Sequence, residues 1–275
     1  AWRQPWVAVG KISQILIYPV KSCKGLSVSA AECQVTGLTS GDYSDRIFMV
    51  HQTEQIDELG TFVSARPRKN HNPRLLLIEP KIVNSVLTLT AKNYEHSVSV
   101  SLDEVRKRNE IITAKLWNQR EIEGLDCGES VSNWLADYLS VEKSHHRLLY
   151  FIPELDNTER TVEVKFPSQQ AQEEICLRND KLIYSDATPF SLASNSTLNS
   201  LNAQYFKEKP MVMERFRPNI VVEGSAPLDE DNWAEIKIGD AAEFLNYCPT
   251  TRCLMPTVDP QTLETSKEPN SVLRK

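Results

Sequence analysis

Through the first half of the chain, apolar and polar residues alternate or gather into short β-branched runs, the pattern of strands with one buried face. Such runs cover Ile12 to Tyr18, Ser27 to Thr36, Arg46 to Gln52, Phe62 to Ala65, Arg74 to Ile82, Val86 to Thr90, Val98 to Leu102 and Ile111 to Trp117. Gly37, Gly41 and Asn84 mark breaks between them. Close spacing of this kind predicts an antiparallel sheet curled into a barrel, not βαβ units.

After Asp126 the period changes. Val131, Trp134, Leu135, Tyr138 and Leu139 recur at i, i+3, i+4, i+7 and i+8, one apolar stripe that predicts a helix capping or flanking the barrel. A strand is expected over Arg147 to Ile152, and the polar, proline-containing stretch from Pro153 to Gln172 reads as a linker or surface loop. That loop divides the chain into an N-terminal barrel-like region, 1–152, and a second domain, 153–275. A shorter helix starts from Ser194 as its cap and uses Leu198 and Leu201, and strand character returns at Ile220 to Val222 and Ala234 to Ile238. The fold class is therefore α+β and β-rich. No internal repeat or low-complexity tract interrupts it.

Composition narrows the function. With 275 residues, 40% of them hydrophobic and 25% charged, the chain has the make-up of a folded globular protein. A net charge of −6 argues against a general nucleic-acid binder, so any basic site is local. No run of apolar residues is long enough to span a bilayer, and a membrane anchor, if there is one, is expected outside this chain. The six cysteines are too sparse for a disulfide scaffold and are expected to be reduced. Cys248 and Cys253, with no second pair and no histidine nearby, make a poor zinc site.

Cys253 lies in the run from Thr250 to Pro260, where Arg252 places a fixed positive charge that lowers a thiol pKa and Thr250 and Thr251 offer hydroxyls. It can serve as core filler, nucleophile or soft-metal ligand. His51, His71, His96, His145 and His146 stand in no motif that marks a partnered base, which weakens the nucleophile and favours ligation. Lys21-Ser22-Cys23-Lys24-Gly25, after a strand and a proline, offers ammonium, hydroxyl and N–H donors to a phosphate or forms an ordinary solvated turn. Arg215, Arg217 and Asn219 alternate, which on a strand would put both guanidiniums on one side. Arg46 behind Asp45 reads by itself as surface charge, and Tyr184 to Phe190 as a hydroxyl-rich loop. Neither the phosphate-binding loop motif nor the dinucleotide glycine fingerprint occurs.

The order of these segments is more specific than any one of them. Tyr-Pro-Val-Lys-Ser-Cys-Lys-Gly from Tyr18, Asp45-Arg46, Pro73-Arg74-Leu75, Asp126-Cys127-Gly128-Glu129, Tyr184-Ser185-Asp186-Ala187-Thr188-Pro189-Phe190, Phe216-Arg217-Pro218-Asn219-Ile220 and Arg252-Cys253 through Asp259-Pro260 resemble the mitochondrial amidoxime-reducing components, molybdenum enzymes of the MOSC superfamily. The resemblance implies a MOSC-type β-barrel core and a molybdenum-pterin cofactor. Cys253 would ligate the metal and serve as the catalytic residue; Lys21, Ser22, Arg46, Asp186, Thr188, Arg217, Asn219, Thr251 and Arg252 would touch the pterin or its phosphate. It also implies reduction of amidoximes, N-hydroxyguanidines and hydroxamic acids, with electrons from NADH through cytochrome b5 reductase and cytochrome b5. The place would be the cytosolic face of the mitochondrial outer membrane. Within the same superfamily, the C-terminal domain of a molybdenum cofactor sulfurase has a similar pattern, and a non-enzymatic cofactor carrier is the alternative of another class. This chain departs from the pattern in a longer basic stretch from Pro67 to Asn72 and one extra residue between Cys248 and Cys253. Family members continue beyond the position of Lys275 with further strands, so the likeness implies a domain shortened at that end.

Overall fold

The first strand is recruited by the second half of the molecule. In this computed structural model, which describes residues 5–53, 60–66, 71–116, 120–140, 145–155, 160–161, 181–246, 249–250 and 253–273, β1 (Lys11–Ile17) pairs antiparallel with a strand some two hundred positions later. The elements that follow it are β2 (Leu26–Val28), β3 (Glu32–Gln34), β4 (Gly37–Ser40), β5 (Tyr43–Ser44), β6 (Phe48–Thr53), β7 (Gly60–Phe62), β8 (Ile78–Val83), β9 (Val86–Ala91) and β10 (Tyr94–Ser101). Next come helix α1 (Leu102–Arg108), β11 (Ile111–Leu116), β12 (Arg120–Asp126), helix α2 (Glu129–Leu139), β13 (His145–Tyr150), β14 (Arg160–Thr161) and β15 (Lys181–Leu182). The last are β16 (Leu192–Ser194), helix α3 (Asn195–Tyr205), β17 (Ile220–Glu223), β18 (Glu235–Ile238), β19 (Ala242–Leu245) and helix α4 (Glu268–Leu273).

Strands β11, β12, β13, β6 and β7 close on one another as a small barrel, antiparallel except where β7 meets β11. A separate sheet runs β16-β17-β1-β2, and β8, β9 and β10 form a meander. The core follows the alternation read from the sequence: Phe48, Val50, Leu87, Leu89, Leu125 and Leu148 are buried in one cluster. The stripe on α2 packs into the same cluster through Val131, Trp134, Leu135, Tyr138 and Leu139. Its indole N–H donates to the His96 carbonyl at 2.9 Å, tying the helix to β10. Ser194 caps α3 as expected, its Oγ accepting from the N–H of Ser196.

Several expectations need correction. Arg74 to Ile82 is not one strand: Pro73–Leu77 forms a 3-10 turn, with Pro at its start and Asn72 capping it, before β8 begins. Leu102 opens α1 instead of ending β10, because the Ser101 hydroxyl accepts from the N–H of Glu104 and starts a helix there. β12 escaped the reading altogether. Of the stretch read as a linker, Arg160–Thr161 is a strand paired with Lys181–Leu182, and most of the remainder lies outside the described residues.

Candidate functional site

Three non-glycine residues of the candidate set hold left-handed backbone: Ser22 at φ 69°, Arg46 at φ 52° and Arg217 at φ 54°. Each such conformation costs about 1–3 kcal/mol and persists where the surroundings impose it. Here the surroundings are three chain segments locked together by main-chain bonds. Arg46 N–H donates to the Tyr18 carbonyl and Phe48 N–H to that of Pro19, while Lys21 N–H donates to Phe48. Leu16 N–H donates to the Asn219 carbonyl, and the Asn219 side chain returns a bond to Leu16 at 3.3 Å. The 16–23, 45–48 and 217–219 segments are thereby one unit.

Asp45 holds that unit from inside. It is buried, accepts the Tyr18 N–H at 2.8 Å and pairs with Arg46. The expectation of surface charge for this neighbour pair is therefore corrected: both side chains turn inward because the left-handed turn at Arg46 aims its guanidinium back at Asp45 and Asn219. Arg46 donates to Asn219 Oδ1 and to the Arg217 carbonyl, both at 3.4 Å. Asn219 Oδ1 also takes the Ser191 N–H at 3.2 Å. Burial works against the Arg46 charge, and the Asp45 carboxylate more than offsets it, with smaller help from Tyr18 and Asp186, so its pKa is raised.

Lys21 is buried as well, which rules out the solvated turn. Its Nζ donates to the Tyr184 carbonyl at 2.7 Å and pairs with Asp186, whose side chain is largely exposed. Gly25 is required beside it, since an added Cβ would sit 2.4 Å from Cε1 of Tyr18. Thr188 uses its hydroxyl on the Phe190 carbonyl at 2.7 Å.

Arg217 differs from the other two cations. Lys21 and Arg46 each face a carboxylate, whereas Arg217 has no ion pair among the described residues, and its buried Nη2 has no hydrogen-bond partner there. Burial pulls its pKa below the usual guanidinium value; Tyr18 opposes this and Arg46 adds to it. A buried cation left in that state has the charge, and the free donor, for an anionic ligand.

Arg215 does not join it. The stretch from Met213 to Arg215 is a 3-10 turn and the strand starts only at Ile220, so the period-two alternation assumed from the sequence never applies. Arg215 instead turns to the other side, donating to the Pro256 carbonyl at 3.0 Å and pairing with Asp259 at 2.8 Å. It is a strut between the Arg217 turn and the loop that carries Cys253. That loop is also held by Asn270, from α4, whose amide donates to the Cys253 carbonyl at 3.0 Å. Cys253 is exposed and a free thiol, its sulfur accepting the Met255 N–H at 3.3 Å. Cys23 and Cys127 are buried in the core and Cys33 is exposed, and these too are free thiols. Thr251 and Arg252 lie outside the described residues.

Asp45, Tyr18, Ser191 and Asn270 do structural work here that the sequence reading missed. Asp45 left a signal, its adjacency to Arg46 in the chain, and that was read as ordinary surface charge.

Comparison with known proteins agrees with this layout. Residues 9–142 match the MOSC N-terminal beta barrel domain and residues 179–275 the MOSC domain. The chain is 36% identical over 267 residues to mitochondrial amidoxime-reducing component 1 of Mus musculus, covering 97% of this chain and 71% of the relative. To the component 1 of Homo sapiens it is 35% identical over 283 residues, covering 100% and 76%. Component 2 of Rattus norvegicus is 36% identical over 273 residues, covering 99% and 74%.

Proposed function

Because the chain belongs to the family of the mitochondrial amidoxime-reducing components, we propose that it is a molybdenum-dependent reductase of N-hydroxylated compounds. The observation that carries the cofactor reading is Arg217: a buried guanidinium with an unpartnered Nη2, next to two cations already matched by carboxylates. A pterin phosphate would supply the missing negative charge. Lys21, Ser22, Arg46 and Asn219, carried on the locked 16–23, 45–48 and 217–219 segments, would hold it. Asp186 and Thr188 stand beside Lys21 on the neighbouring loop, and Thr251 and Arg252 adjoin Cys253 in sequence.

When bound, the cofactor supplies a metal centre that exchanges two electrons and takes an oxygen atom. The chain's own residues supply position and charge. Cys253 presents an exposed thiol on a loop fastened by Asn270 and, through Pro256 and Asp259, by Arg215, which suits a soft-metal ligand that must reach a bound group. The net reaction consumes two electrons and two protons, turns an amidoxime into an amidine and releases water. N-hydroxyguanidines and hydroxamic acids fit the same balance. Electrons reach the site from NADH through cytochrome b5 reductase and cytochrome b5, at the cytosolic face of the mitochondrial outer membrane. No helix of the described residues is long and apolar enough to cross a membrane.

Metal analysis of protein made in a cofactor-competent host tests the reading. Near-stoichiometric molybdenum is expected, lost in Cys253→Ala without loss of fold, and benzamidoxime reduction by NADH is expected only with both electron carriers present. Zinc in place of molybdenum would overturn it, and molybdenum without turnover would leave a cofactor carrier.

A further inference from the structure

The stretch from Arg66 to Arg74 is basic and contains no acidic residue, in a chain whose net charge is −6. Residues 67–70 lie outside the described ones, and Ser64 fastens the residues on either side of them. This serine is buried, and its Oγ accepts from the Arg66 N–H at 3.3 Å and from Arg66 Nε at 3.0 Å. Its N–H donates to His71 Nδ1 at 3.2 Å, and its carbonyl accepts the Asn72 N–H at 2.9 Å. The Asn72 amide goes on to the Leu139 carbonyl at 3.0 Å, which ties this point to the end of α2. One serine thus brings a guanidinium and an imidazole together, both half-buried, with Arg66 Nη2 3.1 Å from His71 Nε2.

The protons decide what that contact means. His71 Nδ1 can accept the Ser64 N–H only while it carries no proton, so a neutral ring bears its proton on Nε2. A guanidinium has no acceptor atom. Arg66 Nη2 and His71 Nε2 therefore face each other donor to donor, and the opposite tautomer would relieve this only by giving up the Ser64 bond. An oxyanion set between the two accepts from both at once and keeps every serine contact. The pair stands one side chain away from the cofactor pocket: the His71 ring centroid is 5.9 Å from that of Phe62, and Lys21 Nζ, which pairs with Asp186, is 5.4 Å from the same Phe62 centroid.

We propose that Arg66 and His71 form a subsite beside the cofactor pocket that takes the carboxylate of an acidic N-hydroxylated substrate, so that compounds carrying such a group are preferred over neutral ones. The identity of the substrate rests on the reductase reading, while the oxyanion subsite stands on the geometry of Ser64, Arg66 and His71 by itself. Two donors match the two oxygens of a carboxylate, and a planar guanidinium edge beside an imidazole N–H suits its flat shape. A phosphate, with three acceptor oxygens and about two charges, calls for more donors than this pair offers.

Two readouts test this, one of them independent of turnover. In the full chain labelled at its histidine nitrogens, NMR is expected to show His71, assigned by the loss of its signals in His71→Gln, with Nδ1 bare and Nε2 protonated. Those signals should move on titration with benzoate. Arg66→Gln should weaken that binding roughly ten- to hundredfold, and inorganic phosphate should compete poorly. Turnover of the loaded enzyme is then compared for benzamidoxime and its para-carboxylate. The ratio of their kcat/KM values should favour the carboxylate and fall by the same factor in Arg66→Gln, mainly through KM. Should that variant fold poorly, Arg66→Lys, which keeps the charge and loses the planar fork, gives the same ratio test. Reduction of neither compound would sink the reductase reading and leave the benzoate titration to decide the subsite. Reduction of both with a ratio that Arg66→Gln leaves unchanged would overturn the subsite alone. A proton on Nδ1, no response to benzoate, or phosphate binding more tightly than benzoate would overturn it as well.

Discussion

The Arg217 guanidinium carbon lies 4.2 Å from the centroid of the Tyr18 ring, and that of Arg46 lies 5.1 Å from the same ring. One aromatic side chain therefore serves two cations that would otherwise repel each other at close range. A ring face near a desolvated guanidinium stabilises it by about 2 kcal/mol, comparable with a charge-assisted hydrogen bond and independent of any counter-ion. Tyr18 is positioned for this by its own N–H on Asp45 and by Gly25, whose missing Cβ leaves room for the ring.

The ring, not the hydroxyl, carries that role. The Tyr18 hydroxyl is buried without a partner among the described residues, and burial pushes its pKa up to about 12. Tyr18→Phe is expected to change stability by less than about 1 kcal/mol and to keep its molybdenum, since it deletes only an unsatisfied group. Tyr18→Ala should lose about 3–5 kcal/mol and most of the metal. Urea unfolding of the metal-free chain, with metal analysis of the loaded one, separates the two variants. Equal metal loss in Tyr18→Phe would mean that the hydroxyl touches the cofactor.

Arg217→Ala should behave in an opposite way in the two forms of the protein. Without cofactor it removes a buried charge that has no ion pair among the described residues, so the metal-free chain should be as stable as before or more so. With cofactor it removes a charge-assisted contact of about 1.5–3 kcal/mol, so retention through gel filtration should fall roughly ten- to hundredfold. A variant that is destabilised without cofactor and retains molybdenum normally would assign Arg217 to the scaffold.

Much of this was legible in the chain, for identifiable reasons. The α2 stripe and the Ser194 cap are local signals, and local packing did not override them. Lys21, Ser22, Arg46, Arg217 and Asn219 stood out by type and order, but nothing in a linear pattern says that Ser22, Arg46 and Arg217 take left-handed backbone. That conformation is imposed by pairings between segments far apart in sequence. The same fact explains the error over Arg215, where a side chain two positions from Arg217 leaves on a different course because the backbone between them is turned and not extended. Asp45 was misread because adjacent charges look alike on a surface and in a core until the fold decides.

Inside the small barrel, His51 is buried and neither ring nitrogen has a hydrogen-bond partner among the described residues. Burial, reinforced by Arg147 and His146, lowers its pKa to about 4, so the folded protein holds it neutral. An unfolded chain would protonate it near its ordinary value of about 6.5. The sign follows: the unfolded state binds the extra proton, and stability falls as pH drops from about 6.5 toward about 4, by roughly 3 kcal/mol in all. His51→Leu should remove most of that slope. Urea midpoints between pH 7.5 and 4.5 for both proteins give the answer, and parallel curves would show that other groups cause the acid loss.

The last prediction concerns how the thiol of Cys253 is held in place. Arg215 spans from the Arg217 turn to Pro256 and Asp259, with side-chain exposures of 5% for the arginine and 18% for the aspartate. Burial alone would raise the Asp259 carboxyl, but the N–H groups of Gln261 and Thr262 together with Arg215 hold it below the usual range. Arg215→Ala leaves Asp259 without its cation and the Pro256 carbonyl without its donor, and should cost about 3 kcal/mol or more. Asp259→Ala should cost less, because Arg215 keeps Pro256, and the double variant should recover part of the sum through a coupling of about 0.5–3 kcal/mol. Loosening this strut should also lower molybdenum content while leaving intact the contacts proposed for the pterin phosphate at Lys21 and Arg217, so pterin should be retained better than metal. Pterin and molybdenum assayed on one sample measure that split. Loss of both in equal proportion would mean that Arg215 supports the whole pocket and not the Cys253 loop.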